Sequence, residues 1–361
     1  MIVFCHLLND TSGSPTVLHS TINALEVYEK RLLFIGSQGR GVLEETNVPI
    51  RRYWYRRSHR KFVTLFTYFA SQIFLYRALS RARDIPVDAT IFVNTLLPFG
   101  AMLWGRRTGR RVIVHIHEVY ISPKLFRCFL KACAALCADK VLYVSQDHSI
   151  RMPIVGPTAT VVYNPVSPLL IKAAESVNYV PQRSGAFEVL MLASIRGYKG
   201  IKEFMALALA LRDREDILFT LVLNAEDSEV NDLRKCHPDA KNVSFHPRVK
   251  NPCAFYAGAD LLLNLSRTDQ CIETFGLTLI EAMTFGVPVI APPVGGPREI
   301  ISDGIEGYCI DSRDSAALQA AVLELADNPK RSKEMSKAAL LRAKDFTYDN
   351  YAVALQNALK C

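Results

Sequence analysis

The chain has 361 residues, half of them hydrophobic, with a formal net charge of +8. That length sets an expectation of about two domains, and ordinary Gly and Pro contents exclude a low-complexity or fibrous chain. Nine cysteines, an odd number with no Cys-x-x-Cys pair, read as small buried thiols in preference to a metal site or a disulfide framework. The charge is one-sided: residues 1–165 hold 21 Lys and Arg against 10 Asp and Glu, whereas residues 166–361 hold 22 against 25. A basic excess confined to one half implies that this half faces something anionic.

MIVFCHLLND lacks a basic leader and reaches Asp10 after a short apolar run, so no signal peptide is expected and the chain is read as cytoplasmic. No uncharged apolar stretch approaches the ~20 residues of a spanning helix. The first half offers six strand-like runs: MIVFCHLL, RLLFIGS, ATIFVNT, RVIVHIHE, KVLYVS and ATVVYNP. Continuous apolar strands alternating with helical stretches predict a parallel sheet covered on both faces. Between the first strand and a helix expected over about Pro15 to Lys30, Gly13 offers backbone N–H groups at a helix start.

Arg51 to Lys61, RRYWYRRSHRK, interleaves five arginines and one lysine with Tyr53, Trp54 and Tyr55. The next fifteen residues are uncharged, and Phe62, Leu65, Phe66, Phe69, Ile73 and Tyr76 follow helical spacing. Segment 51–76 therefore reads either as an interface helix on an anionic membrane or as a core helix behind a solvated basic loop. No nucleic-acid motif accompanies it. His115 and His117, at the end of RVIVHIHE, share a strand face, with Glu118 on the other. His-x-His beside a carboxylate lacks a third ligand, so no metal site is expected.

A change of domain is expected after Asn164-Pro165, giving domains of 1–165 and 166–345. The second half offers FEVLMLAS, ILFTLVLN, NVSFHP, ADLLLNLS, PVIAPP and GYCID, enough for a second doubly wound domain. Its most informative segment is Glu273 to Glu281, ETFGLTLIE, followed by APPVGGPREI. Gly276 opens a short helix over Thr278 to Phe285, closed by Gly286, and a glycine there lets a ligand approach the first-turn N–H groups. Such a helix start seats a phosphate, and flanking carboxylates bind hydroxyls, so the ligand expected is phosphate joined to sugar.

The pattern E-x-F-G-L-x-x-x-E-A-M-x-x-G-x-P-V-I-A followed by G-G-x-x-E resembles the donor signature of the retaining glycosyltransferases of family 4. The resemblance implies a GT-B fold, two Rossmann-like domains facing each other across a cleft, with the terminal helix, within 346–361, returning to the first. It implies that Glu281 holds the ribose hydroxyls, that Phe275, Gly276 and Leu277 form the diphosphate seat, and that Glu273 meets the transferred sugar. His117 matches the family histidine that reaches that sugar, and Gly13 matches a loop lying on the donor phosphates. In ASIRGYKGIKEF, Arg196 and Lys199 resemble the pair that contacts those phosphates, although two residues separate them where the family has about four.

No Asp-x-Asp occurs, so the leaving diphosphate is expected to be met by backbone dipoles and basic side chains without a metal or other cofactor. The expected function is a retaining, metal-independent transfer of a hexose-type sugar from a nucleoside-diphosphate sugar to a glycan. That acceptor is expected to be lipid-linked, as in polysaccharide or O-antigen assembly, with the protein peripheral on the inner membrane face. A sugar-nucleotide epimerase of the same fold and a non-catalytic donor-binding subunit are the alternatives.

Overall fold

The structure, a computed structural model, describes residues 1–360 except 183 and 184. Part of the predicted interdomain linker, and the last residue of the terminal segment, lie outside the described residues. Two compact units divide between Asn164 and Pro165, and the chain from Asp349 onward clusters with the first unit.

The first unit holds a seven-stranded sheet of β1 (Ile2–His6), β2 (Arg31–Gly36), β3 (Ile50–Tyr53), β4 (Thr90–Asn94), β5 (Val112–Ile116), β6 (Lys140–Tyr143) and β7 (Thr158–Val161). All neighbours are parallel, in the order β3-β2-β1-β4-β5-β6-β7. Every residue of β1 and β5 is buried, as a sheet covered on both faces requires. Phe4 and Phe92 meet across neighbouring strands at 5.5 Å between ring centroids. The chain steps outward from β1 in both directions, so the sheet's topological switch lies between β1 and β4.

Three expectations need correction here. The first helix spans Gly13–Ala24, not Pro15 to Lys30. Arg31 caps it by donating from Nη1 to the Ile22 carbonyl at 2.8 Å, and turns at Glu26 and Tyr28 lead directly into β2. The basic segment contains a seventh strand, β3, which pairs with β2 through Leu33↔Ile50 to Gly36↔Tyr53. Its arginines are tied: Arg51 makes a two-pronged pair with Asp84 at 2.7 and 2.8 Å, and Arg52 pairs with Glu44. The following helix, Lys61–Arg81, outruns the uncharged segment and is long and apolar enough, by length and composition, to cross a membrane.

That helix is neither wholly core nor wholly free. Tyr68, Ser71, Gln72, Leu75 and Leu79 form its buried stripe at helical spacing. Phe62 and Phe66 stand 88% and 75% exposed, and Leu65, Phe69 and Ile73 share their outward side.

The terminal helix, Tyr348–Lys360, is anchored within the first unit. The Tyr351 and Thr21 hydroxyls lie 2.6 Å apart, Lys140 Nζ donates to the Ala358 carbonyl at 2.8 Å, and Gln356 reaches Ala24. A buried lysine set on the last carbonyls of a helix satisfies both orphan acceptors and the helix dipole.

The second unit, Pro165–Tyr348, holds β8 (Phe187–Ala193), β9 (Ile217–Leu223), β10 (Val243–His246), β11 (Leu261–Leu263), β12 (Val289–Ala291) and β13 (Gly307–Cys309). These are parallel in the order β10-β9-β8-β11-β12-β13, with the switch between β8 and β11. Phe187, Phe204 and Phe219 fill its core, the last two edge to face at 5.6 Å. Two parallel α/β units of this kind make a GT-B fold.

Candidate functional site

In doubly wound sheets ligands bind outside the carboxyl ends of the strands at the switch point. In the second unit that point is bounded by the segment after β8 and the segment after β11. Lys199 lies in the first, in a 3₁₀ turn over Gly197–Lys199, and Glu273 in the second. The sequence brings them together because Gly200, at φ +80°, packs its Cα on the end of β11; a Cβ there would sit 2.1 Å from the Leu265 carbonyl oxygen. Arg267 ties the same two segments: its backbone N–H donates to the Tyr198 carbonyl at 2.8 Å and its guanidinium meets Glu203 at 3.0 Å.

Lys199 Nζ donates to Glu273 Oε2 at 2.7 Å, and Ser266 Oγ donates to the same oxygen at 3.0 Å. Burial pushes the Glu273 carboxyl up, but Lys199 and donors from Ser266 and Asn264 outweigh it and hold the group below its ordinary value. Burial likewise works against the Lys199 ammonium, and the Glu273 charge overrides it and raises the group. Both are therefore ionised at neutral pH.

The helix predicted over Thr278 to Phe285 spans Leu277–Thr284, headed by Gly276 at φ +106°. A side chain at Gly276 would be strained in that conformation and would meet Leu279 Cδ1 at 2.8 Å. Phe275 is buried, with its ring 5.8 Å from Phe346, so it anchors the turn. The Gly295-Gly296 step packs against the same turn. Added Cβ atoms would lie 2.4 Å from the Glu273 carbonyl oxygen and 2.3 Å from that of Thr274, and Gly296 N donates to the Glu273 carbonyl at 3.0 Å.

Glu281, one helical turn in, accepts from the Tyr256 hydroxyl on Oε2 at 2.6 Å. Burial raises the Glu281 carboxyl, and this hydrogen bond opposes the rise. Arg196 is exposed at the lip of the turn before Lys199. Ser266, Asn264 and Tyr256 were not read from the sequence; their roles appear only when distant segments meet, and no local pattern marks them.

In the first unit Gly13 is the first residue of its helix, with Ser12 as N-cap and no side-chain cap bond. Asp10 turns the loop by accepting from Ser12 N at 2.9 Å. Close by, Asn94 ends β4 at the switch point and organises three partners. Its Nδ2 donates to the Ser14 carbonyl at 3.1 Å and lies 3.2 Å from His6 Nδ1, while its Oδ1 lies 2.9 Å from His117 Nε2. With Nδ2 committed as donor, Oδ1 accepts, so His117 carries its proton on Nε2 and offers Nδ1 as an acceptor.

His115 and His117 share a side as expected, their rings 4.2 Å apart. Burial, then the neighbouring histidines, hold His117 well below the ordinary imidazole value, and His115 is lowered to about 3. His115 is buried with neither ring nitrogen hydrogen-bonded. Burial raises the Glu118 carboxyl, although His117 N donates to it at 3.2 Å. Among the described residues no group of three His, Cys, Asp or Glu is placed to hold a metal ion.

The second unit, then, couples a glycine-headed helix start with an ion pair and a buried carboxylate at a sheet switch point. Residues 175–342 match the family model of the glycosyl transferases group 1. The group 1 match thus falls wholly within the second unit. A D-inositol 3-phosphate glycosyltransferase of Arthrobacter sp. is 29% identical over 177 residues, 47% of this chain and 41% of the relative. A sucrose synthase of Acidithiobacillus caldus is 49% identical over 88 residues, 23% of this chain and 11% of the relative. The chain spans less than half the length of either relative. Among solved structures, Anabaena HepE in complex with UDP and glucose superimposes with a TM-score of 0.78 at 18% identity, covering 99% of both chains. Sucrose-phosphate synthase of Thermosynechococcus elongatus does so with a TM-score of 0.77 at 16% identity, over 99% of this chain and 98% of that one.

Proposed function

We propose that the protein is a retaining glycosyltransferase of family 4 that takes a hexose-type sugar from a nucleoside-diphosphate donor. The observation that carries this reading is the Gly276-headed helix start standing between Glu281, held by Tyr256, and the Glu273–Lys199 pair. Glu281 keeps one oxygen on Tyr256 and turns the other to the ribose hydroxyls. The N–H groups at Gly276 and Leu277 take the diphosphate, with Phe275 packing the turn from behind. Lys199, fixed by Glu273, and Arg196 add positive charge where the leaving diphosphate develops its negative charge, so the reaction proceeds without a metal. Glu273 and His117 position the sugar, and Gly13 presents its helix start to the donor phosphates. That HepE is described with UDP and glucose supports a uridine-type donor.

The acceptor is a glycan carried on lipid. The outward row of Phe62, Leu65, Phe66, Phe69 and Ile73, beside exposed Arg56, Arg57 and Arg60, supports a peripheral seat on an anionic, cytoplasm-facing membrane surface.

Calorimetric titration with UDP, GDP and ADP and their glucose conjugates tests the donor reading. One of them should bind, and donor turnover should persist in excess chelator. Binding of none, or turnover restored only by manganese or magnesium, overturns it.

A further inference from the structure

Strand alternation places Arg52 and Trp54 on the same side of the chain at the sheet edge, and helical spacing stacks Phe74, Arg77, Ala78 and Arg81 opposite them. Together with Tyr53 they line a cavity of about 210 Å³ in the first unit. We propose that this cavity binds a phosphate-bearing ligand, a function separate from the donor site.

Three arginines line this cavity and no carboxylate does. Arg52 is already fixed, donating to Glu44 and to the Gly36 carbonyl. Arg77 and Arg81 make no ion pair among the described residues, and both are exposed. Their spacing of four sets like charges side by side on a helix, which by itself is unfavourable. The neighbouring arginine shows the contrast, since Arg51 has its carboxylate in Asp84. An anion between Arg77, Arg81 and Arg52 removes that repulsion. Phosphate suits it best, because planar guanidinium groups meet phosphate oxygens in pairs of parallel hydrogen bonds. Trp54 and Phe74, 5.4 Å apart, form an apolar wall for whatever the phosphate is attached to.

Trp54 makes the site readable, because the chain's other tryptophan, Trp104, is buried. Tryptophan fluorescence is titrated with inorganic phosphate and with monomeric dihexanoyl phosphatidic acid, at constant ionic strength set with chloride. The expected result is a saturable change, absent in Trp54→Phe and weakened at least tenfold in Arg77→Gln/Arg81→Gln, with an unchanged melting temperature. Tighter binding of the phosphatidic acid assigns the cavity to a lipid headgroup, and equal binding assigns it to free phosphate esters; either supports the site. A non-saturable response, or a saturable one that the double variant leaves intact, overturns it. The donor reading is untouched by either result, since nucleotide binding at the Gly276 turn should be weakened by Glu281→Ala and not by the arginine variants.

Discussion

Lys199 and Glu273 each lose hydration in the segments they occupy, and each is stable only because the other is charged. Their side chains are 28% and 15% exposed, so solvent screens part of the interaction. Lys199→Met should leave Glu273 with only the neutral donors Ser266 and Asn264 and cost about 1–3 kcal/mol in the second unit, less than for a fully buried pair. The pair contributes between roughly pH 5 and pH 10. Glu273, lowered on folding, loses its share as acid protonates it, and Lys199, raised on folding, loses its share as base removes its proton. Thermal melts at neutral pH read the cost; a variant that melts with the parent contradicts the pairing. The Tyr256–Glu281 bond gives a gentler test. Tyr256→Phe should weaken nucleotide binding about 2- to 10-fold, through looser placement of Glu281, against about 10-fold or more for Glu281→Ala. Equal losses would mean that Tyr256 touches the ligand itself.

The helix Lys61–Arg81 shows what sequence could and could not reveal of an element. Its apolar spacing was legible, and the helix carries both a buried stripe and an outward aromatic row, each with helical period. Which row faces the core depends on the partner that packs against it, and spacing carries no sign. The strand β3 was hidden for a related reason: two arginines and a tyrosine at a sheet edge read as a charged loop until Asp84 and Glu44 are seen to neutralise them. Arg51 and Arg52 are thus already engaged by carboxylates within the fold, and a test of membrane attachment should spare them. Phe62→Ser/Phe66→Ser should change stability by under about 0.5 kcal/mol per site, because both rings are already in solvent. The same variant should no longer sediment with anionic vesicles. Leu75→Ala, in the buried stripe, should instead cost about 2–5 kcal/mol. A parent protein that ignores vesicles at low salt removes the membrane from the proposal.

At the scale of the molecule, both sheets follow from alternating apolar runs, and the donor-type turn follows from the glycines and carboxylates around Gly276. The polar centre of the first unit was far less legible. Asn94 belongs to an apolar strand run, and nothing local announces that it gathers His6, Ser14 and His117. One consequence concerns the whole fold in acid. His6, His115, His117 and His148 all lie in the first unit, and burial lowers all four. The unfolded chain binds protons on these rings near pH 6.5, whereas the folded chain does not until lower pH, as far down as about 3 for His115. Between those values the unfolded state holds more protons, so stability rises with pH and falls as acid is added. Each ring contributes at most about 1.4 kcal/mol per pH unit below 6.5. The melting temperature should therefore drop steeply from pH 7 to pH 5. His115→Phe should drop less steeply, because it removes one ring without breaking any hydrogen bond. A parent whose melting temperature is flat over that range would show that these histidines take up protons in the folded state, and that His117 is not held neutral.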